Sequence, residues 1–472
     1  MSARLTKEQK AIHFLNRISF GATPGEVEKV KRLGISPYLE NQLHPEAIPD
    51  PVLEKKLAEF KTLGLDTRQL FELYPPRKKA KARGMMPFSR MQGPRHVIQE
   101  LQQARLLRAV YSRRQLYELM VDFWTNHFNV FARKGADKWL ITSYDRDTIR
   151  PHALGYFRDL LLATAQSPAM LFYLDNWLSV GPQASLRRFR RHARRRIRRG
   201  LNENYARELM ELHTLGVDGG YSQKDVQEVA RCFTGWTIRR PRGEAKFRFA
   251  PRRHDRGEKV VLGTTIAPGR NLDDGIQVID LLARHPSTAR FLATKLVRRF
   301  VSDNPPQSLV NQAAEAFRRS DGYVPSVLQA IIRAPEFFST LSFRAKVKKP
   351  LELIASALRI LGADVHNAKP LLRYLAQMGE LPFMARPPTG YADVGPSWVN
   401  ASALLTRMNF ALDLTGSRIR GTTVKPDAQN GDQILPLVAS GGLSDTTRAA
   451  LAKVSGPEGT ALLLAAPEFQ RR

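Results

Sequence analysis

The run from Asn202 to Gly216 sets amides, carboxylates and an imidazole on one predicted helix. At about 3.6 residues per turn, Asn204, Glu208 and Glu211 share a stripe, and Tyr205, Leu209 and Leu212 form the apolar stripe beside it that faces the core. Carboxylates at this spacing can share a metal, bridge two metals, or divide acid and base roles, because like charges drive their proton affinities apart. The plainer reading is ion pairing on a helix surface: Glu203 with Arg207, and Arg207 with Glu211, have the i, i+4 spacing. His213 lies five residues after Glu208, off that stripe, so a Glu-x-x-His metal motif is not met.

Four other groups carry chemistry. Asp122, Asn126 and His127 sit among Phe123, Trp124 and Phe128 on an aromatic-rich helix; such a histidine is most often a satisfied core residue, and the sharper expectation makes it a second wall of the site. Asp175 and Asn176 end an apolar turn, where they cap a turn or offer hard oxygen ligands. His254 and Asp255 fall in a loop with Lys259, and His285-Pro286-Ser287-Thr288 begins a helix carrying Arg290 and Lys295. Basic residues near a loop or a helix start suit an anion, although capping by Ser287 explains the second group equally well. The expected assignment is catalysis by Glu208, Glu211, His127, His254 and Asp255; metal ligation by Asn204, Asp175 and the two glutamates, with Mg, Mn, Ca or Zn as the ion; and anion binding by Lys259, Arg290 and Lys295.

The elements that position these groups read as helices. Thr6, Thr23-Pro24, Ser36-Pro37, Ser167-Pro168 and Ser222 with Asp225 are helix starts, and Gly34 and Gly216 are helix ends. Helical spacing runs from about Arg95 to Val130, with Leu106, Val110, Leu116, Met120 and Phe123 as core positions. Further helices are expected over 273–285, 287–301, 307–319, 325–332, 351–361, 445–454 and 457–465. Between Trp236 and Ile266, Phe247 and Phe249 alternate with charged residues, and Val260-Val261-Leu262-Gly263 is β-like. The predicted fold is mostly α, a multi-helix orthogonal bundle with a small β-hairpin insertion. It divides into an N-terminal helical region (1–94), a central core (95–235), the β insertion (236–270), a continuation of the core (271–415) and a C-terminal helical tail (416–472).

The signature Asn202 to Tyr221, continued through Cys232-Phe233-Thr234-Gly235-Trp236, resembles that of the bacterial domain of unknown function family 1800. Supporting segments in the same order are His13–Arg17, Phe20–Pro24, Phe123–Phe128, Pro168–Leu171, Leu174–Asn176, His254-Asp255 with Lys259, His285–Arg290, Lys346–Pro350 and Pro388–Tyr391. The resemblance spans nearly the whole chain and brings no established activity with it. It implies export in many members and, by gene neighbourhood, a partner resembling sulfatases and alkaline phosphatases.

Composition bounds the remaining choices. The chain has 472 residues and a single cysteine, Cys232, which leaves no internal disulfide and no multi-thiolate zinc site. No apolar run approaches the roughly 18 residues of a membrane span. The amino end has no hydrophobic leader region, so the sequence as written reads as cytoplasmic, with a misassigned start codon as the rival account if the protein is exported. Much of the net charge of +30 lies in two runs, Arg77 to Arg83 and Arg187 to Arg199. These runs attract polyanions through counterion release, or are solvated basic insertions. Neither a P-loop nor a Gly-x-Ser-x-Gly elbow is present. The expectation is therefore an enzyme performing metal-assisted or acid–base hydrolysis of an anionic or polyhydroxylated substrate. Its alternatives are a binding or assembly protein held by a buried polar network and, more weakly, a non-specific nucleic-acid binder.

Overall fold

A computed structural model of the chain describes residues 5–76, 93–182, 200–429, 431 and 434–472. Both arginine-rich runs lie outside the described residues. The fold is mostly helical, with three small two-stranded antiparallel sheets among the described residues. Helix starts follow the local chemistry. The Thr6 hydroxyl accepts from Gln9 N–H while the Gln9 side chain returns to Thr6 N–H, opening Lys7–Ile18; Thr23 caps Pro24–Leu33, and Ser222 with Asp225 forms the same reciprocal box on Gln223–Cys232. The third helix, Ile35–Leu43, is preceded by Gly34 rather than capped by Ser36, and His285 caps Pro286–Phe300 through Nδ1 in place of Ser287. The predicted stretch 95–130 is two helices, Pro94–Tyr111 and Gln115–His127, broken at Ser112, and its five expected core residues are all buried.

One continuous apolar cluster runs from Ala11 to Phe469 and joins the helices on all sides. Pro286–Phe300 packs on Gln307–Arg319, that helix on Val324–Ile332, and Ala401–Thr415 on Gly456–Ala465. Among the described residues no helix is long and apolar enough to cross a membrane. The β insertion is two hairpins. Trp236–Arg239 pairs with Lys246–Phe249, so that Trp236 faces Phe249, and Lys259–Val261 pairs with Thr264–Ile266. Leu262 (φ 49°) and Gly263 (φ 76°) form the two-residue turn of the second hairpin, with both central residues left-handed, as the twist of a tight hairpin requires.

Two helices depart from α geometry where they carry polar groups. Asp137–Ser143 runs into a π-helical turn, Tyr144–Ile149, and Glu203–Glu208 runs into another, Leu209–Thr214. In the second, Leu215 N–H reaches back to Met210 C=O at 2.7 Å, and the Thr214 hydroxyl takes up Leu209 C=O at 2.8 Å. The expected single helix over 202–215 therefore widens over its second half. Gly216 (φ 83°) ends it in the left-handed conformation expected.

The segment Lys346–Pro350 is held from two sides. Its backbone pairs with the carboxyl-terminal residues, Arg472 N–H donating to Lys346 C=O at 2.8 Å. The buried Glu352 carboxylate, one turn into the helix Pro350–Ile360, lies 3.0 Å from Arg472 and 2.5 Å from Arg299. This ionic knot fixes the start of that helix, and with it Lys349.

Candidate functional site

Asn202 opens the signature helix by accepting from Tyr205 N–H at 3.2 Å. Tyr205 and Leu209 are buried as expected, and Leu212 is half-buried. Asn204 is exposed, and Glu208 and Glu211 are both partly buried. Burial, then the neighbouring Glu211, raises the Glu208 carboxyl above its ordinary range. Glu211 accepts from the Tyr221 hydroxyl at 3.3 Å. Arg207 is drawn away to Gln223 at 2.6 Å, so the helical ion pairs that the spacing allows do not form. Asp175, expected as a further ligand, is left-handed (φ 60°) and ion-paired to Lys134 at 2.7 Å. Asn176 is buried, its amide donating to Phe233 C=O at 3.2 Å. Among the described residues no three His, Cys, Asp or Glu side chains converge as a metal-binding group.

The π-turn carries His213 into the core, where its ring lies 5.0 Å from Phe128 and 6.2 Å from His127. His127 Nε2 meets the His213 carbonyl at 3.1 Å, so that ring nitrogen carries the proton. Burial, with Lys295 second, pushes His213 down to about 3, and the same two causes hold His127 well below its ordinary value. Both rings are neutral near pH 7. Lys295 is drawn to Asp393 at 3.4 Å, while Arg290 stays exposed on the same helix.

His254, Asp255 and Lys259 form a different centre. His254 Nδ1 donates to Thr234 C=O at 2.8 Å, and its Nε2 lies 3.0 Å from the buried Asp274. Lys259 Nζ donates to the same Asp274 oxygen at 2.5 Å and to the carbonyls of Asp255 and Gly257. Arg231 clamps Asp255 from two nitrogens, at 2.8 and 3.2 Å. This buried network ties the hairpins to the helix Asp273–Arg284. It takes up His254 and Asp255, two of the groups expected for catalysis, and Lys259, one of those expected for anion binding, and the sequence reading missed Asp274, its hub.

The sequence residues that do border a concavity are Asp122 and Asn126. With Arg105, Lys349, Glu380 and Tyr391 they line a cavity of 30 Å³, room for about one small polar group. Three elements and a loop supply them: Pro94–Tyr111 gives Arg105, Gln115–His127 gives Asp122 and Asn126, Lys349 precedes Pro350–Ile360, and the loop after Lys369–Gln377 gives Glu380 and Tyr391. Arg105 is anchored below by Asp145 of the first π-turn at 2.7 Å, and Asp122 lies 4.0 Å from its other end, at the partly exposed mouth. Glu380 is buried and accepts from Leu351 N–H at 2.8 Å. Burial dominates its environment and, against the pull of Lys349, raises the carboxyl to about 8; Asp122 adds to the rise. Lys349 is also buried, yet Asp393, 3.4 Å away, leads in keeping its ammonium above the ordinary value.

The loop is fitted closely around these groups. The Asn126 amide donates to Tyr391 C=O at 2.9 Å and accepts from Tyr391 N–H at 2.7 Å. Gly390 (φ 72°) makes the close approach possible, since a Cβ there would lie 2.4 Å from the Asn126 carbonyl oxygen. Phe383 is a bulky residue at φ 63°, with Arg105 stacked 5.1 Å from its ring centre, and residues held in that region gather at functional sites.

Residues 13–471 match the family described as protein of unknown function (DUF1800). The chain belongs to the DUF1800 family. No curated protein and no solved structure matches it. In this DUF1800 chain, the segments Phe123–Phe128, Lys346–Pro350 and Pro388–Tyr391, far apart in sequence, meet at the cavity of Asp122 and Glu380. Neither this cavity nor the larger cleft described below is lined by Glu208 or Glu211. Lys349 and Tyr391 fall within segments that carry the resemblance. Glu380 and Arg105 have no motif around them, and only the folded chain brings them to the others.

Proposed function

We propose that this DUF1800 protein is an enzyme that hydrolyses an anionic substrate by general acid–base chemistry at the cavity of Asp122, Glu380, Lys349 and Arg105. The observation that carries the reading is that two carboxyl groups in unlike surroundings share one cavity with two cations. Glu380, buried and protonated near neutral pH, is the acid that delivers its proton to the leaving oxygen. Asp122, at the mouth, accepts a proton from the attacking water. Lys349 and Arg105 hold the negative group of the substrate and offset charge that develops on it.

A second reading is supported by the Leu351 N–H bond to Glu380, which satisfies one orphan donor at the start of a helix. On that reading the cluster is a buried network that fixes packing without chemistry, as part of a binding or assembly protein. The two readings separate in one experiment. Wild type, Glu380→Gln and Asp122→Asn are assayed against p-nitrophenyl phosphate, sulfate and acetate, with thermal melting beside each assay. Gln retains the oxygen that Leu351 needs, so the enzyme reading expects turnover of an anionic ester to fall at least 100-fold with melting little changed at pH 6. Turnover equal in all three proteins removes the enzyme reading.

A further inference from the structure

The helices Pro94–Tyr111, Lys369–Gln377 and Ala401–Thr415 enclose a second, far larger concavity, a cleft of 1390 Å³. Its wall towards the acid–base cavity is the stretch Glu380–Met384: Leu381 and Met384 line the cleft, while Pro382 and Phe383 line the cavity. The cleft has a divided character. Ile98, Leu372 and Ile419 make an apolar floor with Leu381 and Met384. Arg95, Arg133, Lys138, Lys369, Arg373 and Arg420 stand around it. None of these six cations forms an ion pair with a described carboxylate. Asp413, the one acidic side chain among the described lining residues, is already taken by the Tyr374 hydroxyl at 2.6 Å and by Arg418 at 2.8 Å.

The third helix adds an apolar lip. Its inner face buries Ala403, Phe410, Ala411 and Leu414, while Leu404, Leu405, Met408 and Leu412 are 41 to 60% exposed on its outer side. Leu404, Met408 and Leu412 follow the i, i+4, i+8 spacing and form a stripe about 12 Å long at ~1.5 Å per residue. Leu405 turns from that stripe into the cleft. A contiguous apolar stripe at the edge of a cationic cleft marks a surface that receives something with both properties.

We propose that this cleft binds a single anionic amphiphile, its phosphate, sulfate or carboxylate head on the cationic rim and its acyl part on the floor and the Leu/Met lip. A nucleic acid fits less well, because stacking platforms are missing: Tyr374 is the one aromatic residue among the described lining residues, and its hydroxyl is bound to Asp413. A polyanion without an apolar part leaves the floor and the lip uncovered. A flat bilayer surface does not enter a concave cleft between three helices. The volume exceeds the roughly 300–1,000 Å³ of ordinary small-ligand pockets, in keeping with a ligand that carries chains. This inference goes beyond the acid–base reading and does not rest on it.

Isothermal titration of the full chain with dihexanoyl phosphatidylglycerol, kept below its micelle concentration, tests it. One-to-one binding is expected, at least tenfold tighter than that of dihexanoyl phosphatidylcholine or of glycerol phosphate. Arg373→Glu/Arg420→Glu should weaken it at least tenfold, and Leu405→Ser/Met408→Ser at least threefold. All four positions are exposed, and circular dichroism of each variant checks that it folds. The proposal is overturned by glycerol phosphate binding as tightly as the lipid, by serine variants of unchanged affinity, by preference for random DNA, or by binding to phosphatidylglycerol vesicles without binding to the monomer.

Discussion

Replacing Glu380 by Gln exchanges a buried ionisable group for a neutral one of the same shape, and the consequence is set by pH. The carboxyl is raised from 4.5 in the unfolded chain to about 8 in the fold, by burial first and by Asp122 behind it. Between these values the folded chain holds a proton that the unfolded chain has released. The stability contributed by Glu380 is therefore fully present below pH 4.5 and is lost as pH rises through 8. At about 1.36 kcal/mol per pH unit, the interval amounts to about 5 kcal/mol, an upper bound because Lys349 and Asp393 relax around the new charge. Gln carries no such dependence and retains an acceptor for Leu351 N–H.

Wild type and Glu380→Gln should thus be close in stability at pH 5, and the variant should gain on the wild type through pH 8. Urea unfolding followed by tryptophan fluorescence at pH 5, 6, 7, 8 and 9 measures the difference. The expected difference grows by about 1 kcal/mol per unit and levels above pH 8 to 9. A difference independent of pH would refute the argument, since it would mean that Glu380 is ionised throughout and well solvated. The catalytic role would go with it, because an acid that has lost its proton at pH 6 has none to give.

Three other perturbations probe separate parts of the molecule. Lys259→Met leaves the buried Asp274 with His254 alone, and removing one partner of a buried ion pair should cost about 3–5 kcal/mol, read as a lower urea midpoint at pH 7. Gly390→Ala forces a Cβ against Asn126 at a left-handed φ; a loss of at least about 1 kcal/mol is expected, with turnover falling further than stability if Tyr391 and Asn126 shape the cavity. His13 and His213, each pushed down to about 3 mainly by burial, contribute stability that is present above pH 6.5 and is lost as pH falls from there towards 3. Near-ultraviolet dichroism should show acid unfolding within that window, and imidazole NMR shifts should stay those of the neutral ring from pH 8 to 6.

The helices were legible because their signals are local. Thr6 as a cap, Ser222 with Asp225, and Gly216 need only neighbours a few residues away, and the structure uses each as read. The paired strands around Phe247 and Val260 were visible for the same reason. The π-turn at Leu209–Thr214 was not, since nothing in periodicity distinguishes a helix whose hydrogen bonds slip by one residue. That slip matters: His213 lies inward against His127, an imidazole that the sequence offered for proton transfer, and both rings are buried in the core.

The site obeys the opposite rule. His254, Asp255 and Lys259 attract notice because they are close in sequence, and the fold spends their polar atoms on one another, on Asp274 and on Arg231. Glu380 and Arg105 attract none, because their partners lie on other elements. A carboxyl becomes an acid at neutral pH through what the whole fold withholds from it, water above all, and that is a property of position that residue type and spacing do not encode. Lys349 shows the same logic with the charge reversed: equally buried, it stays charged because the Asp393 carboxylate faces it. A proton on Glu380 and a charge on Lys349, a few residues apart in function though not in sequence, are what make this cavity the place in the molecule to test for catalysis.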